Sequence, residues 1–458
     1  MGTTKTDGSW HFGVLWQLAG RAGLDRAVTY TLLTRAWQAG AGAVTLLLIA
    51  KFFGPEVQGF YYTFSSLLAL QVFVELGFYL VVVNLASHEW SKLRLDESGY
   101  IVGDASALSR LASLARFVVK WYSAASFLFV VGVGTCGYLF LAQARATDIA
   151  WQAPWWTVVV LATIQLWLMP ILSLIEGCNQ VVALNRFRLV QTIVDAFTIW
   201  LLLAVGTELW VAAGSLAVKV AATFVFLAIS YRRFFRSLWA GAARATIQWR
   251  KEVWPMQWRL AAQGAVNYLV FSFFTPIMFH YHGPKVAGQM GMTLQIISVV
   301  QLMALAWVQT KVPRFGMLVA NREYAELDRI WGQASRLSFG FAVVGSLAIW
   351  IAVVVLGEFM PGLATRVLGP LPTALFLLAY ALMLIINYQA IYLRAHAREP
   401  FVFVGVSSGL LIGSLVFLFG SEYGPTGAAT SYAAAVGLFV LPITTTIWIR
   451  RRADWQAR

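Results

Sequence analysis

The fold is decided by a short turn motif that occurs twice, as Gly54-Pro-Glu-Val-Gln-Gly59 and Gly283-Pro-Lys-Val-Ala-Gly288. Each hexamer has the form G-P-x-V-x-G and separates two long apolar segments. Because Pro and Gly interrupt helices, each hexamer predicts a tight turn between two spans. The hexamers start 229 residues apart in a chain of 458, which predicts a duplicated unit.

The composition around these turns is that of a membrane protein. Hydrophobic residues make up 59% of the chain and charged residues 12%, with a mean hydropathy of +0.70. A soluble domain carries about 25% charged residues, so the sequence predicts many membrane spans. The net charge of +14 is therefore interpreted as basic cytoplasmic loops rather than as a nucleic-acid surface.

Twelve apolar stretches are long enough to cross a bilayer, six in each half of the chain. The first six are 27–50, 57–86, 118–141, 154–175, 189–206 and 209–229. The second six are 256–280, 286–310, 337–357, 371–393, 401–419 and 424–449. Six spans per half is an even number, so both halves start on the same side of the membrane. The sequence thus predicts an all-α integral membrane protein with two six-helix lobes, related by a parallel internal repeat, around a central cavity.

The distribution of basic residues sets the predicted orientation. With the N-terminus inside, 28 of the 34 Lys and Arg residues lie on or near the cytoplasmic side. Two more, Arg35 and Lys219, lie within spans, and four lie on outer connections. This asymmetry predicts that both termini are cytoplasmic. The longest outer connections have about a dozen residues, too few for an extracytoplasmic domain.

The predicted organisation has five parts. They are a cytoplasmic N-terminal surface segment (1–26), an N-lobe (27–230), a basic cytoplasmic linker (231–255), a C-lobe (256–449) and a cytoplasmic tail (450–458). The basic linker is typical of a segment that rests on anionic lipid headgroups. Segments 106–120 and 321–336 have amphipathic patterns and are predicted to lie along the inner surface.

The residues around the first hexamer resemble a known family. Leu33-Thr-Arg-Ala36, the run Phe52-Phe-Gly-Pro-Glu-Val-Gln-Gly-Phe-Tyr61 and Glu75-Leu-Gly-Phe78 resemble the Wzx-type polysaccharide flippases of the multidrug/oligosaccharidyl-lipid/polysaccharide (MOP) exporter superfamily. A late turn, Tyr423-Gly-Pro-Thr-Gly-Ala-Ala429, is also common in that family. The second half departs from the pattern, since the residue 229 positions after Glu75 is Ala304.

This resemblance implies a transporter of the bacterial inner membrane. Its cargo would be a polyprenyl-pyrophosphate-linked oligosaccharide repeat unit, moved from the inner to the outer leaflet by alternating access and driven by an ion gradient. The implied partners are this lipid-linked oligosaccharide, membrane lipids and the polysaccharide polymerase machinery. The sequence has no Walker loop, HExxH, G-x-S-x-G or Cys/His cluster, so no cofactor, metal or catalytic residue is expected.

Ionisable side chains within spans are the candidate functional residues, because burying a charge in lipid costs about 2.5–3.5 kcal/mol. Deep ones occur in the first half only: Arg35, Glu75, Asp195 and Lys219. Glu176 and Arg259 lie nearer the cytoplasmic ends. Arg35 is the first candidate for the pyrophosphate, since its planar guanidinium can form two parallel hydrogen bonds, and Lys219 and Arg259 are further candidates. Trp37, inside the first span, is a candidate for sugar stacking or for core packing.

The acids have alternative interpretations. Asp195 and Lys219 lie at similar depths on adjacent antiparallel spans, which predicts an ion pair, yet Lys219 could instead bind the cargo. Glu75 is either a protonatable coupling residue or a packing element beside Gly77, and Asp195 and Glu176 are candidates for the same coupling or cavity role. Two other functions compete with the flippase: a multidrug-type exporter of the same superfamily, and a membrane glycan polymerase or ligase.

Overall fold

The structure, a computed structural model, describes residues 26–143, 148–240, 252–396 and 401–456. The described part is almost entirely helical, as the composition predicts. The helices of the first half are α1 (Arg26–Phe52), α2 (Pro55–Leu68), α3 (Gln71–Glu75), α4 (Phe78–Trp90), α5 (Ala105–Leu128), α6 (Thr135–Leu141), α7 (Gln152–Gly177), α8 (Val181–Val205), α9 (Trp210–Ser230) and α10 (Arg232–Ala240). The helices of the second half are α11 (Trp254–Asn267), α12 (Phe274–Gln309), α13 (Val312–Ala320), α14 (Tyr324–Phe359), α15 (Pro361–Ala364), α16 (Pro370–Ala395), α17 (Val402–Ala434) and α18 (Leu441–Gln456).

Ten helical runs in the described ranges are long and apolar enough to cross a membrane. Two of them, Gln257–Ala320 with 64 residues and Phe403–Trp455 with 53, are too long for one crossing of a hydrocarbon core about 30 Å thick. Each contains one glycine with a non-helical backbone: Gly283, with φ of 85°, and Gly424, with φ of 62°. Divided at these glycines, the ten runs correspond to the twelve predicted spans. The chain is a multi-pass membrane protein with the predicted all-helical, two-lobed fold.

The two hexamers interrupt the helices as predicted. Gly54 is extended, and Pro55 is the first residue of α2, where the missing N–H of proline costs no hydrogen bond. In the second hexamer, the positive φ of Gly283 stops one helix before Pro284 starts the next. The turns therefore follow from local backbone chemistry in both halves of the chain.

The structure also brings the two hexamers into contact with each other, which the sequence did not predict. A Cβ on Gly59 would stand 1.9 Å from the backbone oxygen of Pro284. The Gln58 side chain donates to the backbone oxygen of Gly288 at 2.8 Å and to that of Arg366 at 2.9 Å. Helix α2 thus packs closely along α12, and this contact joins the two halves at one end of the bundle. We call this end the hexamer side.

One predicted span is interrupted. Residues 57–86 were expected to form one helix, but α2, α3 and α4 divide the segment, and Leu76 and Gly77 adopt positive φ values of 54° and 64°. Gly77 lies against α11, where a Cβ would stand 2.5 Å from the Cβ of Leu260. The close approach of the second half accounts for glycine at this break.

The two amphipathic segments are not separate surface helices. Residues 106–120 belong to α5, which continues through a π-helical turn into α6, and their apolar face is buried at Leu111, Leu114 and Val118. Residues 324–336 are the first turns of the 36-residue helix α14. In both cases other parts of the chain cover the apolar stripe of a segment that was expected to lie along the inner membrane surface.

A small sheet departs from the purely helical prediction. Strands β1 (Leu93–Leu95) and β2 (Ile101–Gly103) form an antiparallel hairpin between α4 and α5. The hairpin docks on α10 through the Arg233 side chain, which donates to the backbone oxygen of Ser98 at 2.9 Å. Asp104 then caps α5, and hydrogen bonds from Ser106 and Ala107 lower the pKa of the Asp104 carboxyl.

Parts of the predicted organisation fall outside the described residues. These are the N-terminal surface segment 1–26 except Arg26, residues 144–147 of the N-lobe, residues 241–251 of the linker, residues 397–400 of the C-lobe, and residues 457–458 of the tail. The limits of the lobes and the orientation in the membrane remain predictions.

Candidate functional site

A polar cavity of about 290 Å³ lies within the membrane-spanning part of the bundle. Helices α1, α2, α8, α9 and α12 contribute to its wall, so both halves of the chain take part. Its polar and aromatic lining includes Trp37, Gln38, Tyr61, Asp195, Lys219 and Gln295. Polar groups are costly at this depth, which makes the cavity the strongest candidate for a functional site in the described structure.

Asp195 and Lys219 form an ion pair at the edge of this cavity. The Lys219 Nζ lies 2.9 Å from Asp195 Oδ2, and Ser215 donates to Asp195 Oδ1 at 2.6 Å. The depth estimate from the sequence predicted this pair, because α8 and α9 are adjacent. The side chains keep 13% and 34% exposure respectively, so both charges remain accessible from the cavity. The pair leaves the cavity wall close to electrically neutral at this point.

Arg35 bridges the two halves of the chain. It lies on α1 near the end opposite the hexamer side, and its Nη1 donates to Oε1 of Gln309 at the end of α12. Gln309 is uncharged, and no acidic side chain within the described ranges forms an ion pair with Arg35. The half-buried guanidinium therefore lies between the halves without an acidic partner among the described residues. Arg35 itself does not line the cavity, but Gln38, one turn along α1, does.

Several cavity residues gave no signal in the sequence. Tyr61 and Tyr62 on α2, and Gln295 on α12, are uncharged and lie in apolar segments. The Tyr62 hydroxyl is buried and has no hydrogen-bond partner among the described residues. A buried hydroxyl without a partner is unusual in a folded protein, and it marks this part of the cavity wall as polar. Sequence reasoning based on charge could not identify these residues.

Trp37 serves packing as well as the cavity wall. Its indole N–H donates to the backbone oxygen of Thr192 at 3.2 Å, and its ring contacts Phe197 and Trp200. Trp200 in turn donates to Thr45 at 2.9 Å. These contacts attach α1 to α8, so the core-packing interpretation accounts for most of the ring of Trp37.

Glu75 lies away from the cavity, at the break between α3 and α4. It is buried, it accepts a hydrogen bond from the backbone N–H of Tyr79, and the Tyr122 hydroxyl lies 3.4 Å from its Oε1. A carboxylate at this position satisfies a free N–H at the start of α4. The geometry agrees with the packing interpretation beside Gly77, while the protonatable role stays a prediction.

The two remaining candidates do not reach the cavity. Glu176 pairs with Arg188, with Oε2 2.7 Å from Nη2, and neither residue lines the cavity. Arg259 is exposed on α11, and its guanidinium lies 5.7 Å from the centre of the Trp258 ring. Neither arrangement brings these residues together with Arg35 or Lys219.

Comparisons with known proteins give the class of this fold. No protein-family model and no curated protein matches the sequence. Solved structures do match. An inward-facing multidrug resistance MATE family transporter of the MOP superfamily shares 12% identity, with a TM-score of 0.60, over 91% of this chain and 99% of its own. The lipid II flippase MurJ, in an inward closed conformation, shares 13% identity, with a TM-score of 0.61, over 93% of this chain and 90% of its own.

A third match is a MOP superfamily transporter from Pyrococcus furiosus, described as having a binding pocket of reversed polarity. It shares 11% identity, with a TM-score of 0.59, over 94% of this chain and 95% of its own. At these identities the similarity establishes the fold. The chain has the two-lobed, all-helical fold of the MOP-superfamily transporters.

Proposed function

We propose that this protein is a flippase that moves a polyprenyl-pyrophosphate-linked oligosaccharide between the leaflets of a bacterial inner membrane. The observation that carries the proposal is Arg35. It is a permanently charged group within a span, it contacts the other half of the chain, and its only described side-chain partner is the neutral Gln309. A pyrophosphate presents several acceptor oxygens, and a guanidinium can bind two of them at once.

The cavity supports the same cargo. Lys219, paired with Asp195, lines the cavity about midway along α9, and the side-chain amides of Gln38 and Gln295 can bind sugar hydroxyls. Aromatic rings beside a few convergent polar groups are typical of small-molecule sites. The lipid tail needs no protein pocket, because it can remain in the surrounding bilayer while the headgroup crosses.

The fold agrees with this proposal but also hosts the competing function. Solved structures of this fold include both multidrug MATE transporters and the lipid II flippase MurJ. A site for cationic drugs would need an acidic group free to pair with the drug. Here the acid in the cavity wall, Asp195, is already bound by Lys219 and Ser215. Lys219 is bound in the same pair, so the pair itself favours neither charge. The preference for an anionic headgroup rests on Arg35, whose described side-chain partner is the neutral Gln309.

Deletion in the host tests the proposal. A strain without the protein should accumulate a lipid-linked repeat unit on the cytoplasmic leaflet, detectable by lipid extraction and mass spectrometry. Complementation with the wild-type chain should remove the accumulated lipid, and complementation with the Arg35→Ala chain should not. A strain that gains drug sensitivity with no change in its lipid-linked glycans would favour the multidrug exporter instead.

A further inference from the structure

A second concavity, of about 300 Å³, lies at the end of the bundle opposite the hexamer side. The last turn of α12, the short helix α13 and the first turns of α14 form its walls. Three basic side chains line it: Lys311, Arg314 and Arg329. We call it the basic pocket.

The charges in the basic pocket are not balanced. Glu326 is the acid that contacts its arginines, and it accepts two hydrogen bonds of 2.7 Å from Arg329. The same carboxylate lies 3.5 Å from Arg314, so two guanidinium groups share one acid. Lys311 forms no ion pair within the described ranges. The pocket therefore holds two positive charges in excess of its acid.

The opposite wall of the basic pocket is apolar. Trp307 is 52% exposed, its ring stacks on Phe341 with centroids 6.3 Å apart, and Leu337 completes this wall. A tryptophan beside clustered cations at the end of a span is typical of the boundary between lipid tails and headgroups. Ligands that reach this pocket can thus come from the membrane.

The basic pocket shares no lining residue with the polar cavity described above, and it lies on another face of α12 than the contact between Arg35 and Gln309. Gln309, which binds Arg35, lies two residues from Trp307 on α12. Two residues correspond to about 200° around a helix, so the two side chains lie on opposite faces of α12. The positive-inside rule requires only that basic residues lie on the cytoplasmic side, and scattered residues satisfy it. The basic residues here instead surround one concavity, which the rule does not require.

We propose that the basic pocket binds the phosphate of a membrane lipid. Its excess charge matches an anionic headgroup. Arg314 can bind phosphate oxygens in a fork, and Lys311 adds a point charge. Arg329, whose Nε and Nη2 are bound by Glu326, adds a further cation beside them. Basic pockets between spans are known as headgroup sites. The chemistry is shared by anionic phospholipids and by polyprenyl diphosphates. The site does not depend on the proposed transport activity.

Lipid binding by the purified, full-length protein in detergent tests this site. The probes are phosphatidylglycerol, cardiolipin and undecaprenyl diphosphate, with phosphatidylcholine as the zwitterionic reference, each titrated by native mass spectrometry. Lys311→Ala should weaken binding of the anionic lipids about fivefold, because one cation is lost from the site. Lys311 is exposed and unpaired within the described ranges, so this change leaves the fold intact.

Glu326→Gln gives the opposite prediction, since it removes the competing acid and frees two arginines. It should tighten binding about fivefold, whereas general damage to the fold would weaken it. Arg336→Ala is the matched control, because Arg336 is an exposed cation of the same helix that donates to the backbone oxygen of Gly332 and does not line the pocket. Its affinities should equal those of the wild type.

The result also distinguishes the two lipid sources. Tighter binding of undecaprenyl diphosphate than of phosphatidylglycerol supports a site for cargo-type lipids, and equal binding supports a site for bulk phospholipid. The proposal is overturned if Lys311→Ala and Glu326→Gln both leave the anionic affinities within twofold of wild type. It is also overturned if phosphatidylcholine binds as tightly as the anionic lipids.

Discussion

Replacing Gly59 by alanine should separate the two halves on the hexamer side. The new Cβ would stand 1.9 Å from the backbone oxygen of Pro284, and ordinary contacts begin at 3.4 Å. Backbone must therefore move by about 1.5 Å, because neither atom can rotate away. Overpacking of this kind costs about 1–3 kcal/mol in the state that contains the contact. If the contact is released in the other state of an alternating-access cycle, the equilibrium shifts by about 5- to 150-fold.

Pulsed electron paramagnetic resonance between spin labels measures this shift. Cysteines at Glu56 and Lys285 are suitable, because both side chains are exposed on the hexamers. Cys136 is exposed and is replaced by serine in all variants, while Cys178 is buried and stays unlabelled. Gly59→Ala should move the population towards longer distances.

Gly340→Ala is the matched control, because a Cβ at Gly340 meets no atom within 4 Å. It should leave the distances between the labels unchanged. A Gly59→Ala distribution that equals the wild type would refute the argument that the hexamer contact is released in one state of an alternating-access cycle.

Three further predictions concern the charged residues. Arg35→Ala should slow transport about 10- to 100-fold at normal protein levels, because a charge-assisted hydrogen bond to the cargo is lost. Arg35→Lys should keep part of the transport rate, because the charge remains but the planar fork is lost. The amount of glycan exported per molecule of protein measures both effects. Asp195→Asn removes the ion-pair partner of Lys219 and should destabilise the protein by up to about 3 kcal/mol, which would lower the Tm in detergent. An unchanged Tm would assign Lys219 to the cargo alone. Glu75→Gln keeps a side-chain oxygen that accepts the hydrogen bond from the Tyr79 N–H, so the Tm should be preserved. If Glu75 only packs, the dependence of transport on pH should be preserved too. Loss of that pH dependence would show a coupling role for Glu75.

Features that depend on local backbone chemistry were predictable from the sequence. The turns at Gly54 and Gly283 follow from Pro and Gly, and the span count follows from hydropathy. The Asp195–Lys219 pair was predictable because two opposite charges at equal depth on neighbouring spans stabilise each other. Each of these inferences needed only one element and its sequence neighbour.

Features that depend on contacts between distant segments were not predictable. Gln309 as the partner of Arg35 is separated from it by 274 residues and is an ordinary polar residue in the sequence. The break at Gly77 depends on the approach of Leu260 from the other half of the chain.

The hairpin of β1 and β2 did have a local signal in the sequence, since the turn Asp96-Glu-Ser-Gly99 separates two short runs rich in apolar residues.

Reconstitution tests the flippase assignment most directly. Purified protein in proteoliposomes that contain a polyprenyl-pyrophosphate-linked oligosaccharide should move the glycan to the opposite leaflet, where an added glycan-cleaving enzyme reaches it. The wild-type chain should do so at a rate well above protein-free liposomes, and the Arg35→Ala chain about 10- to 100-fold more slowly. Efflux of a cationic dye from the same proteoliposomes, with no movement of the lipid-linked glycan, would contradict the account.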